Sequence, residues 1–139
     1  MVTMRYMLDT NICIYLMHHQ PPEVIRRFND LSLGDAVMSA ITLAELRYGV
    51  ERHPETSARN QRALDALLTD VPAVAFDDMA ATRYGVLRMA VKSRQRDALD
   101  RLIAAHAAGL GYVLVTNNEA DFRDYPGLTV ENWVAAATH

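Results

Sequence analysis

Short apolar runs separated by helical patterns constrain this chain more than any other feature. Residues 4–8, 36–39, 74–76, 112–116 and 128–130 read as strands. Between them, apolar residues recur at three- and four-residue spacing. Ile12, Tyr15, Leu16 and His19 define a helix over 10–18. Pro21-Pro22 ends it and starts the next, with Val24, Ile25, Phe28 and Leu31 as its stripe. Further helices run from Thr42 to about Gly49, over 56–70 (Ala63, Leu64, Leu67 and Leu68 inward) and over 78–92 (Ala80, Tyr84, Leu87 and Val91 inward). After a polar loop at 92–96, a last helix opens near Asp97, carries Leu99, Leu102, Ile103, His106, Ala107 and Leu110 inward, and stops at Gly109. A short helical turn is expected between the last two strands. Strands separated by helices imply a parallel sheet covered on both faces. The expected fold class is therefore α/β: a three-layer α/β/α domain with a central parallel sheet.

At 139 residues, one domain over 1–139 is expected, large enough to bury a substantial core. No apolar run approaches the ~20 residues of a membrane span, so no membrane partner is expected. The lone Cys13 excludes an intramolecular disulfide and fits a reducing, cytoplasmic setting. A net charge of −3 excludes a general polyanion trap. Thirteen of the 14 basic residues are arginine and Lys92 is the one lysine. Arginine suits phosphate contacts, but the same bias follows from genomic base composition.

In an open parallel sheet the site lies beyond the carboxyl ends of the strands. Asp9, Glu45, Asp97, Asp100, Glu119 and Asp121 all fall soon after strand ends or at helix starts. Carboxylates gathered in one crevice repel one another, and a hard divalent ion such as Mg²⁺ or Mn²⁺ relieves the repulsion. One or two such ions can activate a water and stabilise the leaving oxygen of a phosphodiester. Each acid also has a local structural reading. Thr42-x-x-Glu45 matches a helix capping box, and Asp97-x-x-Asp100 and Asn118-x-x-Asp121 share its spacing. Asp9, Thr10 and Asn11 are all candidate N-caps. Periodicity does not choose between Asp97 and Asp100.

Four segments, taken with the ending Pro126-Gly-Leu-Thr-Val-Glu-Asn-Trp133, are recognisable in this order: Met7-Leu-Asp9-Thr-Asn-Ile-Cys-Ile-Tyr15, Ser39-Ala-Ile-Thr-Leu-Ala-Glu45-Leu-Arg-Tyr-Gly49, Leu99-Asp100-Arg-Leu-Ile-Ala-Ala-His-Ala107 and Leu114-Val-Thr-Asn-Asn-Glu-Ala-Asp121-Phe122. Together they resemble the PIN-domain ribonuclease toxins of bacterial type II toxin–antitoxin systems, the VapC family. The resemblance implies a Mg²⁺- or Mn²⁺-dependent endoribonuclease that cuts RNA, structured tRNA being a favoured class, by a metal-activated water. It implies that Asp9, Glu45, Asp100 and Asp121 form the catalytic, metal-binding acid set, and it selects Asp100 over Asp97. Asn118 stands where many relatives carry aspartate, so Asp121 is the expected fourth acid. Thr10, Asn11, Thr116 and Asn118 are expected to support the acids or bound waters. The resemblance also implies a homodimer, a VapB-type antitoxin lying in an apolar groove near the site, and operator DNA bound only through the antitoxin complex.

Two other aspartate chemistries are excluded. Haloacid-dehalogenase-type phosphatases need a second aspartate two residues after the first, where Asn11 stands. A phosphorelay receiver needs a well-placed lysine, and Lys92 precedes the wrong strand. The competing reading is a catalytically degenerate, nucleic-acid-binding or regulatory domain of the same fold.

Arg94, Arg96 and Arg101 are candidate RNA phosphate contacts that would offset an acidic crevice. Arg47 and Tyr48 follow Glu45 and face RNA, a partner or solvent. His106 is read as a core or interface histidine. The methionines, Met79 and Met89 included, are expected to fill core. The stripes Val24–Phe28–Leu31 and Leu64–Leu68 are candidate walls of the antitoxin groove.

Overall fold

A computed structural model describes residues 5–91 and 98–134. The strands are β1 (Tyr6–Leu8), β2 (Ala36–Ser39), β3 (Ala73–Val74), β4 (Val113–Val115) and β5 (Thr129–Glu131). The helices are α1 (Thr10–Met17), α2 (Pro22–Asn29), α3 (Ala40–Glu51), α4 (Ser57–Asp70), α5 (Asp78–Ala90) and α6 (Ala98–Leu110). Single 3-10 turns occupy Pro54–Thr56 and Glu119–Asp121.

All strand pairs are parallel, in the order β3-β2-β1-β4-β5. Tyr6 pairs with Ala36 on one side and Val113 on the other, and Met7 with Val37 and Leu114. The chain winds outward from β1 through β2 to β3, then crosses back to lay β4 on the other side of β1. This reversal puts the topological switch point between β1 and β4, where open α/β sheets build their crevice.

The two-residue period of a strand divides the core between the sheet's faces. Leu8, Met38 and Val115 pack with Ile12, Leu16, Val24 and Leu64, from α1, α2 and α4. Met7, Val37 and Leu114 pack with Leu87, Ile103, Ala104 and Ala107, from α5 and α6. The three expected layers are thus present. Leu114→Ala, fully buried at the centre of the second core, is expected to cost about 2–5 kcal/mol. In urea denaturation the midpoint should fall at an unchanged slope.

Several local expectations are corrected. α1 ends at Met17, and His19 is exposed with φ 57° instead of continuing the stripe. α6 runs through Gly109 and stops at Gly111, whose φ of 73° is the left-handed conformation of a helix C-terminus. Met79 and Met89 lie off the Ala80–Tyr84–Leu87 stripe of α5 and are 63% and 70% exposed. Val24 and Leu64 are closed into the core; Phe28, Leu31 and Leu68 pack against the same cluster. The expected loop at 92–96 lies outside the described residues.

Candidate active site

β1 runs directly into α1, so Asp9 lies at the carboxyl end of the central strand and caps the following helix. Its Oδ1 accepts the Ile12 N–H at 3.0 Å, and its own N–H donates to the Val115 carbonyl at 3.0 Å. Asp9 is therefore both the N-cap and an acid at the switch point. It is only 6% exposed. Burial, the largest cause, raises its pKa from 3.8 to about 6; hydrogen bonding by Thr116 and by the Ile12 and Asn11 backbone opposes that rise, and the charge of Glu45 adds to it.

Glu45 reaches the site from α3. The helix starts at Ala40, with Ser39 as its N-cap accepting from Ile41 N–H at 3.1 Å. The capping-box reading of Thr42 and Glu45 is thereby overturned, because both already stand inside the helix. The Glu45 Oε1 instead accepts the Thr10 hydroxyl at 2.5 Å, a short bond of the kind that ionised acceptors make. Asp9, Thr10 and Glu45 thus form one electrostatic unit.

On the other side of β1, Thr116 follows β4 fully buried. Its Oγ1 accepts the Asn118 N–H at 3.1 Å, and Asn118 Nδ2 donates to Asp121 Oδ2 at 2.6 Å. Thr116, Asn118 and Asp121 are consequently linked beyond the end of β4. Asn11 Nδ2 lies 3.4 Å from Asn117 Oδ1, and Asn117 Nδ2 donates to the Tyr15 hydroxyl at 2.9 Å. Asn117 was not a candidate in the sequence; its position between Thr116 and Asn118 was the only local signal.

Asp100 is half-buried in the first turn of α6. Its neighbour Leu99, expected on the inward stripe, instead lines a groove of about 720 Å³ together with Thr10 and Glu45. The rest of the wall is largely apolar, including Ile14, Met17, Ile41 and Tyr48. The start of α6 therefore opens onto the groove that holds Glu45. Tyr48 is exposed, with the Arg52 guanidinium 5.5 Å from its ring centre.

Among the described residues, no three His, Cys, Asp or Glu side chains form a group that would hold a metal between them. The donor set still suits a hard divalent ion. Mg²⁺ commonly binds through one or two carboxylates and keeps several waters, and Asp9 with Glu45 offers such a pair. Arg101, a candidate RNA contact, is corrected: it is 4% exposed and donates toward the Tyr125 hydroxyl, with Tyr84 also beside it. It braces α6 inside the protein. Arg94 and Arg96, like Asp97, lie outside the described residues.

A doubly wound parallel sheet with buried and half-buried acids around its switch point defines an α/β protein with an acidic crevice. The PIN domain family model matches residues 6–128. The tRNA(fMet)-specific endonuclease VapC of Shigella flexneri is 36% identical over 132 residues, covering 94% of this chain and 98% of that protein. Ribonuclease VapC2 of Haemophilus influenzae is 37% identical over 134 residues, covering 94% and 99%. The crystal structure of VapBC2 from Rickettsia felis, bound to a promoter DNA fragment, superposes with a TM-score of 0.86 at 36% identity over 94% of this chain and 99% of that one. The DNA-bound VapBC of Salmonella typhimurium gives 0.85 at 34% identity over 94% and 99%. The chain belongs to the PIN-domain family, among the VapC ribonucleases.

Proposed function

We propose that this chain is the toxin of a type II toxin–antitoxin pair, a Mg²⁺- or Mn²⁺-dependent endoribonuclease that cuts structured RNA of the tRNA class in the cytoplasm. The observation that carries this reading is Asp9: a carboxylate buried at the switch point, next to Glu45, with no cation paired to either among the described residues. Two nearby carboxylates without a protein cation are poised for a bound one. No described helix is long and apolar enough to cross a membrane, and Cys13 is free and buried.

In this reading Asp9 and Glu45 hold the ion, and Asp100 and Asp121 complete the acidic rim. A divalent ion, when bound, supplies a water of lowered pKa and neutralises charge at the scissile phosphodiester. Thr10 fixes the Glu45 carboxylate by donating its hydroxyl proton. Thr116 and the Asn11 and Ile12 N–H groups hold the Asp9 carboxylate in one orientation. Asn118 orients Asp121, so an amide in place of a fourth acid still serves the neighbouring carboxylate.

The substrate class rests on the relative from Shigella flexneri, whose name specifies tRNA(fMet). An antitoxin partner and promoter binding through it are supported by the VapBC complexes of Rickettsia felis and Salmonella typhimurium. The groove beside Glu45 is the proposed seat of the antitoxin chain, because its apolar wall of Ile14, Met17, Ile41 and Leu99 ends at a catalytic acid. The exposed Met79, Val86 and Met89 on α5 support pairing of two copies of this chain.

Metal binding is measured without RNA. Near neutral pH, Mn²⁺ at about 100 times its dissociation constant should stabilise the wild type by about 3 kcal/mol. In a thermal melt, Tm should rise for the wild type and hardly move for Asp9→Asn. An equal rise in both would contradict Asp9 as a ligand.

A further inference from the structure

We propose that His106 is a positioning residue for RNA cleavage, its hydrogen bond to Ser39 fixing the helix of Glu45 against the helix of Asp100. The proposal rests on the reading of Glu45 and Asp100 as working acids.

His106 is buried on α6, and its Nδ1 stands 2.8 Å from Ser39 Oγ. Ser39 is the last residue of β2 and the N-cap of α3. Its Oγ accepts the Ile41 N–H, and in the arrangement we propose its hydroxyl proton goes to His106 Nδ1. The ring is then neutral and carries its own proton on Nε2. Burial favours this neutral form, while the charge of Asp77 and the Ala75 backbone act in the opposite sense. Phe76 meets the ring edge-on, with centroids 5.4 Å apart and planes at 73°. Nε2 is buried and closes no well-formed hydrogen bond, although the Ala75 backbone lies within reach of the ring.

A buried nitrogen without a well-formed hydrogen bond is destabilising. Leucine would fill the same space without that cost, so what histidine adds is the bond from Nδ1. That bond joins two helices that pack together and each carry a candidate acid. Glu45 stands six residues after Ser39, and Asp100 six residues before His106, each about 9 Å of helix rise from the bond. A tilt of about 5° there moves a carboxylate by roughly 0.8 Å, and a misplacement of about 1 Å costs up to about a hundredfold in rate.

The test compares His106→Asn, His106→Gln and His106→Leu in cleavage of tRNA, with Tm measured for each. The asparagine amide overlays Nδ1, whereas the glutamine amide extends to the place of Nε2. The Leu and Gln variants should lose about 10- to 100-fold in kcat with KM within about threefold, and Asn should recover to within about threefold of wild type. A side chain that only fills space predicts the reverse order, since asparagine leaves the largest void. That order, equal rates in all three, or loss of folding in all three would overturn the proposal.

Nitrogen NMR of the wild type gives a readout independent of RNA. Nδ1 should be an unprotonated acceptor whose resonance moves in Ser39→Ala; a protonated Nδ1, or an unmoved one, would overturn the proposal. Glu45→Gln and Asp100→Asn separate the two levels of inference. Full activity in both, or a wild type that cuts no RNA, sinks the site reading and the latch with it. Inactivity in both with an active His106→Gln sinks the latch alone.

Discussion

Asp9→Asn should abolish RNA cleavage while making the metal-free protein more stable. The activity loss should exceed about a hundredfold in kcat, because losing only an outer partner at a metal site already costs about 10- to 100-fold. The fold should survive, since asparagine caps helices as well as aspartate does and its side-chain oxygen can still accept the Ile12 N–H. Stability should rise because a buried carboxylate beside Glu45 is replaced by a neutral group. A pKa moved from 3.8 to about 6 corresponds to as much as about 3 kcal/mol of destabilisation well above pH 6. The sign follows from proton counting. Between these two values the folded protein holds more protons on Asp9 than the unfolded chain. This group's contribution is therefore fully present below about pH 4 and declines as pH rises through about 6. Chemical denaturation of the metal-free protein at pH 5 and pH 7.5 should show a larger gap for the wild type than for Asp9→Asn. Unchanged cleavage in Asp9→Asn would reduce this residue to a helix cap.

Asp100→Asn and Asp97→Asn should part company. The first removes a charge from the acid set and should lower kcat by more than about a hundredfold. The second should stay within about threefold of wild type, because asparagine retains the capping ability an aspartate has ahead of a helix. Steady-state cleavage of one RNA by both variants decides the matter. Equal losses would overturn the assignment of the third acid.

The order of elements was legible because the three inner strands are short, largely apolar runs and every connection but the last carries an α-helical pattern. The positions of the acids were legible to different depths. Asp9 follows a strand and precedes a helix, so its double role was visible locally. Glu45 was obscured by Thr42-x-x-Glu45, a pattern that fits a capping box. Its actual partner is Thr10, on another helix, and no local spacing records such a contact. Ser39 ends β2 and caps α3 without an intervening loop, which moved the helix start ahead of Thr42. Asp100 was separated from Asp97 only by resemblance, since both fit the opening of α6. Arg101 looked like a solvent-facing cation, but its helix is buried on nearly every side and Tyr125 and Tyr84 receive it inside. His106 was recognised as a core residue, while its link to Ser39, 67 positions away, required the folded arrangement.

The most direct measurement is cleavage of purified tRNA(fMet) and total cellular RNA by the isolated protein, with Mg²⁺ or Mn²⁺ present and then chelated. The account predicts discrete cuts with either ion, loss of cutting on chelation, and its return when the ion is restored. No cleavage of any RNA at any metal concentration, from protein shown to be folded, would contradict it.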